Sequence, residues 1–136
     1  MDADEARSFI RSNHRCVLAT TRRDGGVQMS LVAAAVDDGG HVVISTQETA
    51  AKTANVRRNP KAYVCVFTNN FFGPWVQAEG TVTIQPLPEA MDGLVAYYRS
   101  VSGEHPDWDE YRRAMVEERR VLLHLTIERA GPTTHG

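Results

Sequence analysis

The segment STQETAAKTANVRRNP, residues 45 to 60, contains a lysine whose neighbours suit anion binding. We expect Lys52 in the middle of a helix, where it has no helix dipole to complement and shares a face with Thr49 and Asn55, three residues before and after it. A lysine ammonium contacts phosphate groups as a point charge. An ordinary solvated lysine is the competing interpretation, and the residues alone favour it.

A second polar pair lies on the segment VQMSLV. Because strand side chains alternate between faces, Gln28 and Ser30 share one face. Val27, Met29 and Leu31 share the other face. A strand here therefore presents two polar groups together on one side.

Other titratable residues have simpler interpretations. The acidic and histidine residues of GEHPDWDEY lack the repeated spacing of known metal loops. Asp107 with Glu110 instead fits the start of a helix after Pro106. We interpret His14 and His124 as partly buried side chains within strands. The sequence predicts no metal site and no Ser–His–Asp triad, and it leaves the catalytic residues unknown.

The helix that carries Lys52 has start and stop signals. Ser45 and Glu48 have the spacing of a capping box, and Asn59-Pro60 ends the pattern, which predicts a helix of about a dozen residues. Arg57 and Arg58 then fall in the last turn, where cations offset the negative end of the helix dipole. Small residues on this helix permit close packing on a sheet: Ala50, Ala51 and Ala54.

Six strands are predicted around this helix. HRCVLATTRRDGGVQMSLVAAAVDDGGHVVIST indicates three strands joined at DG and DDGG turns. KAYVCVFTNN indicates a strand that is covered on both faces. PWVQAEGTVTIQP indicates an alternating strand that starts near Trp75, and RRVLLHLTIER indicates a last strand. Cys16 and Cys65 lie in apolar runs without metal-site spacing, so we expect two buried, reduced thiols. The pattern predicts one domain, 1–136, of all-β or α+β class: a six-stranded antiparallel split β-barrel with short flanking helices.

Composition excludes several function classes. The 136 residues carry a net charge of −2, so no strongly positive surface is expected for nucleic acid. No apolar run approaches the roughly 18 residues of a membrane helix, and no signal-peptide segment follows the start. We therefore expect a cytoplasmic protein whose partner is a small molecule.

The sequence resembles the pyridoxamine-phosphate-oxidase-like split-barrel superfamily, and most closely its actinobacterial branch that uses the deazaflavin coenzyme F-420. The resemblance rests on VLATTRRDGGVQMS, ISTQETAAKTANVRRNP, VQAEGTV and YRSVSGEHPDWDEYRRAMVEERRVLLHLTI, in that order. It implies a homodimer with two cofactor sites at the interface, each built from both chains.

The resemblance also implies roles for individual residues. Lys52 reaches the cofactor phosphate, supported by Ser45 and Thr46; Gln28 and Ser30 lie near the ring system, and Trp75 forms a wall of the ring site. Arg119 or Arg120 contacts the cofactor tail. The implied cofactor-binding set is Gln28, Ser30, Ser45, Thr46, Ala51, Lys52, Trp75 and Arg120.

The implied activity is hydride transfer from reduced F-420 to a small, electron-poor organic molecule. A flavoprotein that uses FMN and a non-catalytic carrier of the cofactor or another planar ligand are the alternatives. Two residues depart from the family pattern. Ala50 stands where relatives often carry an arginine, and Leu31 replaces a polar residue, so a relative's substrate does not transfer.

Overall fold

The computed structural model describes residues 1–132, which form four helices and seven strands. The helices are α1 (Ala3–Ser12), α2 (Ala51–Arg58), α3 (Met91–Ser102) and α4 (Trp108–Glu117). The strands are β1 (Arg15–Thr21), β2 (Val27–Ala33), β3 (Ala35–Val36), β4 (Val42–Gln47), β5 (Lys61–Phe67), β6 (Trp75–Gln85) and β7 (Arg120–Gly131). None of the helices within this range has the length and apolar composition needed to cross a membrane.

All strands belong to one antiparallel sheet in the order β2-β1-β5-β6-β7-β4-β3. The prediction of six strands is wrong, because the second predicted strand breaks at Ala34. The Ala34 N–H bonds the His14 carbonyl at 2.9 Å, and the chain then leaves β1 and pairs with β4. Since β2 and β3 are consecutive in the chain but lie at opposite edges, the sheet must curl into a half-barrel.

The two faces of the curled sheet have separate apolar cores. The inner face encloses the larger core, which includes Leu18, Val64 and Leu123 and is covered at one end by α1. The outer face of β3, β4 and β7 packs against α3 and α4 around Leu94 and Leu122. The alternation predicted for β6 and β7 is confirmed, because their inward residues are buried.

The helix that carries Lys52 is shorter than predicted and begins later. It has eight residues, Ala51–Arg58, and the capping box is wrong. Ser45 lies in β4 and pairs in register with Leu122, so it cannot start a helix. Glu48 instead forms an ion pair with Arg119 at 3.2 Å. Ladder hydrogen bonds with β7 outweigh the local capping signal.

Other sequence predictions have mixed outcomes. Asp107 does cap α4, since its carboxylate accepts the Glu110 N–H at 3.1 Å. His14 precedes β1 rather than lying within it. Only one face of β5 is buried, so the prediction of a strand covered on both faces is wrong. Both cysteines are free thiols, as predicted, but only Cys16 is buried, and Cys65 is partly exposed. Burial raises the pKa of the Cys16 thiol to about 12.

Candidate functional site

The four buried polar side chains of the described chain gather around α2. They are Thr20, Thr46, Thr53 and Asn55, each at most 6% exposed. Asn55 Nδ2 donates to Thr20 Oγ1 of β1 at 3.1 Å, and Thr53 Oγ1 donates to the Gln47 carbonyl of β4 at 2.7 Å. Buried polar groups are costly unless paired, so these bonds fix the position of α2 against the sheet. A short helix with few apolar residues is thereby held rigidly.

The N-terminus of α2 is open to an anion. Ala50 is the N-cap residue and provides no side-chain cap within residues 1–132. The backbone N–H groups of Ala51 and Lys52 lack an intrahelical acceptor, whereas the Thr53 N–H already donates to the Ala50 carbonyl at 3.1 Å. The helix dipole places partial positive charge at the same end. Backbone donors and helix dipole together favour a bound phosphate here.

Lys52 adds a full charge to this end of the helix. The prediction of a mid-helix position is wrong, because Lys52 is the second residue of α2. Its side chain is partly buried. Across residues 1–132, Lys61 pairs with Glu128 at 3.1 Å, whereas Lys52 forms no salt bridge. A cation at the positive end of a helix is unfavourable without an anion, so dipole compensation does not explain this lysine.

Gln28 and Ser30 share one face of β2, as predicted. This is the inner face of the sheet, and both side chains are partly buried. Gln28 Oε1 lies 3.5 Å from Asn55 Nδ2. Asn55 is three residues after Lys52 in α2. Ser30 pairs in register with Leu18 of β1, farther from the rim. Gln28, Thr46 and the start of α2 therefore border one region at the end of the barrel between β2 and β4.

Ser45 and Arg120 lie elsewhere. Because adjacent strand residues face opposite ways, Ser45 faces α3 while Thr46 faces α2. Arg120 Nη2 pairs with Glu118 at 2.9 Å. Burial raises the pKa of Tyr97, and the Ser45 backbone and the Arg120 charge partly oppose this shift. Tyr97, which donates to the Ala33 carbonyl at 2.8 Å, thus joins Ser45 and Arg120 beneath α3.

Trp75 lies on the outer face of the sheet, opposite in register to Phe67 of β5. Its side chain is 36% exposed. Gln28 faces inward, so Trp75 and Gln28 of one chain lie on opposite sides of the sheet. The eight residues implied as cofactor contacts therefore occupy three places on a single chain. Most lie near the start of α2 and on the inner face of β2, Ser45 and Arg120 lie beneath α3, and Trp75 lies on the outer face of the sheet.

The same outer face carries an apolar area that no helix covers within the described residues. We call it the outer apolar surface: Val27, Met29, Leu31, Tyr63 and Trp75, which are 53%, 72%, 84%, 36% and 36% exposed. Val17, between Leu31 and Cys65 in the register, extends it across β1. Exposed apolar patches of this kind mark interaction surfaces.

The positions of two residues, Asn55 and Tyr97, do not follow from the sequence alone. Helical spacing places Asn55 only on the face of Lys52, and the aromatic residues around Tyr97 indicate only packing between the late helices. The position of Asn55 follows from the contact between α2 and β1, which joins residues 35 positions apart. Tyr97 and Ala33 are 64 positions apart. Local spacing carries no signal for such pairs.

Comparison with known families gives a match over almost the whole chain. A family model described as pyridoxamine 5′-phosphate oxidase matches residues 3–133. Three solved structures share the fold at low sequence identity, so these similarities show the fold alone.

The first is a conserved hypothetical protein, Rv2991, from Mycobacterium tuberculosis, at TM-score 0.78 and 22% identity, covering 100% of this chain and 92% of that chain. The second, described as an F-420 reductase, has TM-score 0.72 and 19% identity over 92% of this chain and 94% of that chain. The third is the heme storage protein HutZ from Vibrio cholerae, at TM-score 0.71 and 13% identity over 96% and 94%.

Proposed function

This chain belongs to the pyridoxamine 5′-phosphate oxidase family, and we propose that it is a coenzyme F-420-dependent reductase. The proposed reaction transfers a hydride from the reduced deazaflavin to a small, electron-poor organic molecule. The observation that carries the proposal is the first turn of α2, which within residues 1–132 has no side-chain cap and whose Lys52 ammonium forms no salt bridge. The similarity to a structure described as an F-420 reductase favours the deazaflavin.

The residues present fit the phosphate end of such a cofactor. The N–H groups of Ala51 and Lys52 and the Lys52 ammonium would hold the phosphate, and the pairing of Thr53 with β4 would keep these donors in place. Gln28 and Ser30 would orient the ring from the inner face of β2. The bound cofactor supplies the hydride chemistry, while the protein supplies binding and orientation.

A homodimer completes this proposal. Trp75 faces away from Gln28 and Lys52 of its own chain, so a ring wall formed by Trp75 must come from a second copy. The outer apolar surface supports such pairing, because Leu31 and Met29 on the edge strand β2 are 84% and 72% exposed. Burial of exposed apolar side chains stabilises association by about 25 cal/mol per Å² of surface removed from water.

FMN is the alternative cofactor, because a site that contacts phosphate through backbone N–H groups and a lysine does not discriminate between the two phosphates. A non-catalytic carrier protein is the alternative functional class. The similarity to a heme storage protein suggests heme as the planar ligand to test under this hypothesis. Under the carrier hypothesis the protein binds a planar ligand without turnover.

Fluorescence titration of the protein with oxidised F-420 and, separately, with FMN tests the cofactor. Absorbance titration with heme tests the carrier hypothesis. We expect F-420 to bind more tightly than FMN or heme, and the reduced form to be consumed with a nitroaromatic, quinone or enone acceptor. Binding of FMN alone would instead indicate a flavoprotein that uses FMN. Binding of F-420 without turnover on any acceptor class would support the carrier, and binding of neither cofactor would refute the proposal.

A further inference from the structure

Three side chains from separate segments meet where the β3–β4 hairpin lies against β7. Asp37 follows β3, His41 precedes β4, and His124 lies in β7 opposite Val43. His41 Nδ1 lies 3.3 Å from both carboxylate oxygens of Asp37, and His124 Nδ1 lies 3.3 Å from Asp37 Oδ2. The potential ligand atoms all lie within 4.8 Å of one another. We call these three residues the Asp37 cluster.

We propose that the Asp37 cluster binds a divalent transition-metal ion such as Zn²⁺ through Asp37, His41 Nδ1 and His124 Nδ1. Bonds of roughly 2.0–2.1 Å in tetrahedral geometry place two donor atoms about 3.3 Å apart. The separations between the Asp37 carboxylate and the two imidazoles already have this value. Imidazole nitrogen and carboxylate oxygen are ligands that zinc uses in proteins.

The orientation of His124 supports a metal ligand. His124 Nε2 lies 3.1 Å from Gln85 Oε1, an atom that can only accept a hydrogen bond. Nε2 therefore carries a proton, and when the ring is neutral Nδ1 directs a lone pair at Asp37. Two acceptors then face each other at 3.3 Å, and either a metal ion or a second ring proton between them satisfies both. Metal-binding histidines almost always donate their second N–H in this way.

The hairpin holds the other two ligands without help from a metal. The His41 N–H donates to Asp37 Oδ1 at 2.8 Å, and the Asp37 N–H donates to the His41 carbonyl at 3.0 Å. The cluster is only partly buried, and His41 and His124 line a cleft of about 620 Å³ that also includes Gln85 and Glu89. Because the cluster supplies three protein ligands and two of them line this open cleft, a coordination position remains for water or a ligand, as in zinc sites that are not closed by a fourth side chain.

The competing explanation is that protons take the place of the metal. If both rings are imidazolium ions, the cluster is a pair of ion pairs with Asp37, and the same distances follow. The site shares no residue with the proposed cofactor site, so either proposal stands if the other fails.

Calorimetric titration of chelator-treated, tag-free protein with Zn²⁺ tests the proposal. We expect one site per chain. Affinity should fall at least about a hundredfold in His124→Gln and in Asp37→Asn, because each loses one of three ligands, and about ten- to a hundredfold in Gln85→Leu, which loses only the outer hydrogen bond. His14→Gln is the matched control, since the His14 ring contacts the Ala34 carbonyl rather than this cluster.

Asp37→Asn also guards against misfolding, because its amide oxygen can still accept the His41 N–H. Circular dichroism should show the fold of this variant unchanged. The Co²⁺ visible spectrum of the wild type gives a second readout, and it should show imidazole coordination that His41→Gln alters. Equal Zn²⁺ affinity in the wild type and His124→Gln, or an affinity loss in His14→Gln as large as in His124→Gln, would overturn the proposal and leave the ion pairs as the explanation.

Discussion

Replacing Lys52 by alanine separates ligand binding from helix stability. A contact with a charged group is worth about 1.5–3 kcal/mol when buried. Lys52 is only partly buried, and the N–H groups of the first turn of α2 remain in the variant. We therefore take the lower end, about 1.5 kcal/mol, which corresponds to a roughly tenfold weaker affinity for a phosphate-bearing cofactor.

Although Lys52→Ala should weaken ligand binding, it should leave the free energy of unfolding unchanged or raise it. A cation in the first turn of a helix opposes the helix dipole, and its removal stabilises by about 0.3–1 kcal/mol. Alanine also has the higher helix propensity. Weaker binding together with equal or greater stability therefore cannot come from misfolding, which would lower both.

Fluorescence titration with oxidised F-420 and FMN, alongside urea unfolding, measures both quantities. Lys61→Ala is the control, because it removes an ammonium that pairs with Glu128, beyond the other end of α2. Lys52→Arg keeps the charge and should retain most of the affinity. Unchanged affinity in Lys52→Ala, or an equal loss in Lys61→Ala, would refute the anion site at this helix.

The remaining predictions concern the outer apolar surface, the core and Gly80 of β6, which lies where the register with β7 shifts by one residue. Leu31→Glu should convert the proposed dimer to a monomer in light scattering, and an unchanged mass would contradict pairing through this surface. Burial raises the pKa of Cys16 from its ordinary value of 9.0 to about 12, so stability is full below 9 and falls as pH rises toward 12. Between about pH 8 and about pH 10 the loss should be about 1 kcal/mol in urea titrations, and Cys16→Ala should lack it. Gly80→Ala would bring a Cβ to 1.7 Å from the Thr126 carbonyl oxygen; we expect at least about 2 kcal/mol of destabilisation by thermal unfolding, and a wild-type melting temperature would contradict this.

Much of the fold was predictable, because strand alternation is a local property. The spacing of Gln28 and Ser30 alone predicts that they share one face of a strand, and the structure confirms this. The break at Ala34 was not predictable, since AAAV continues a strand pattern without any turn residue. Only the pairing of β3 with β4, at the far edge of the sheet, requires the chain to leave β1 there.

The start of α2 shows how tertiary pairing overrides a local signal. Ser45 and Glu48 have the capping-box spacing, yet Ser45 lies in a strand and Glu48 pairs with Arg119, far along the chain. The error mattered for the site, because it moved Lys52 from the first turn to the middle of the helix. The Asp37 cluster was hidden for the same reason: His124 is 87 positions from Asp37 by their numbers, and only the β4–β7 register joins them.

The alternation of β2 links the two halves of the proposed function. The residues that face the ring region, Gln28 and Ser30, are interleaved with Met29 and Leu31, which face the proposed partner chain. If each cofactor site draws Trp75 from the second copy, binding of cofactor and association of chains must strengthen each other by the same factor, since linkage is reciprocal. Dilution should then weaken cofactor affinity in the wild type, and a monomeric variant should bind only through α2 and β2 of one chain. A one-residue slip of β2 would exchange the two faces and remove both properties at once.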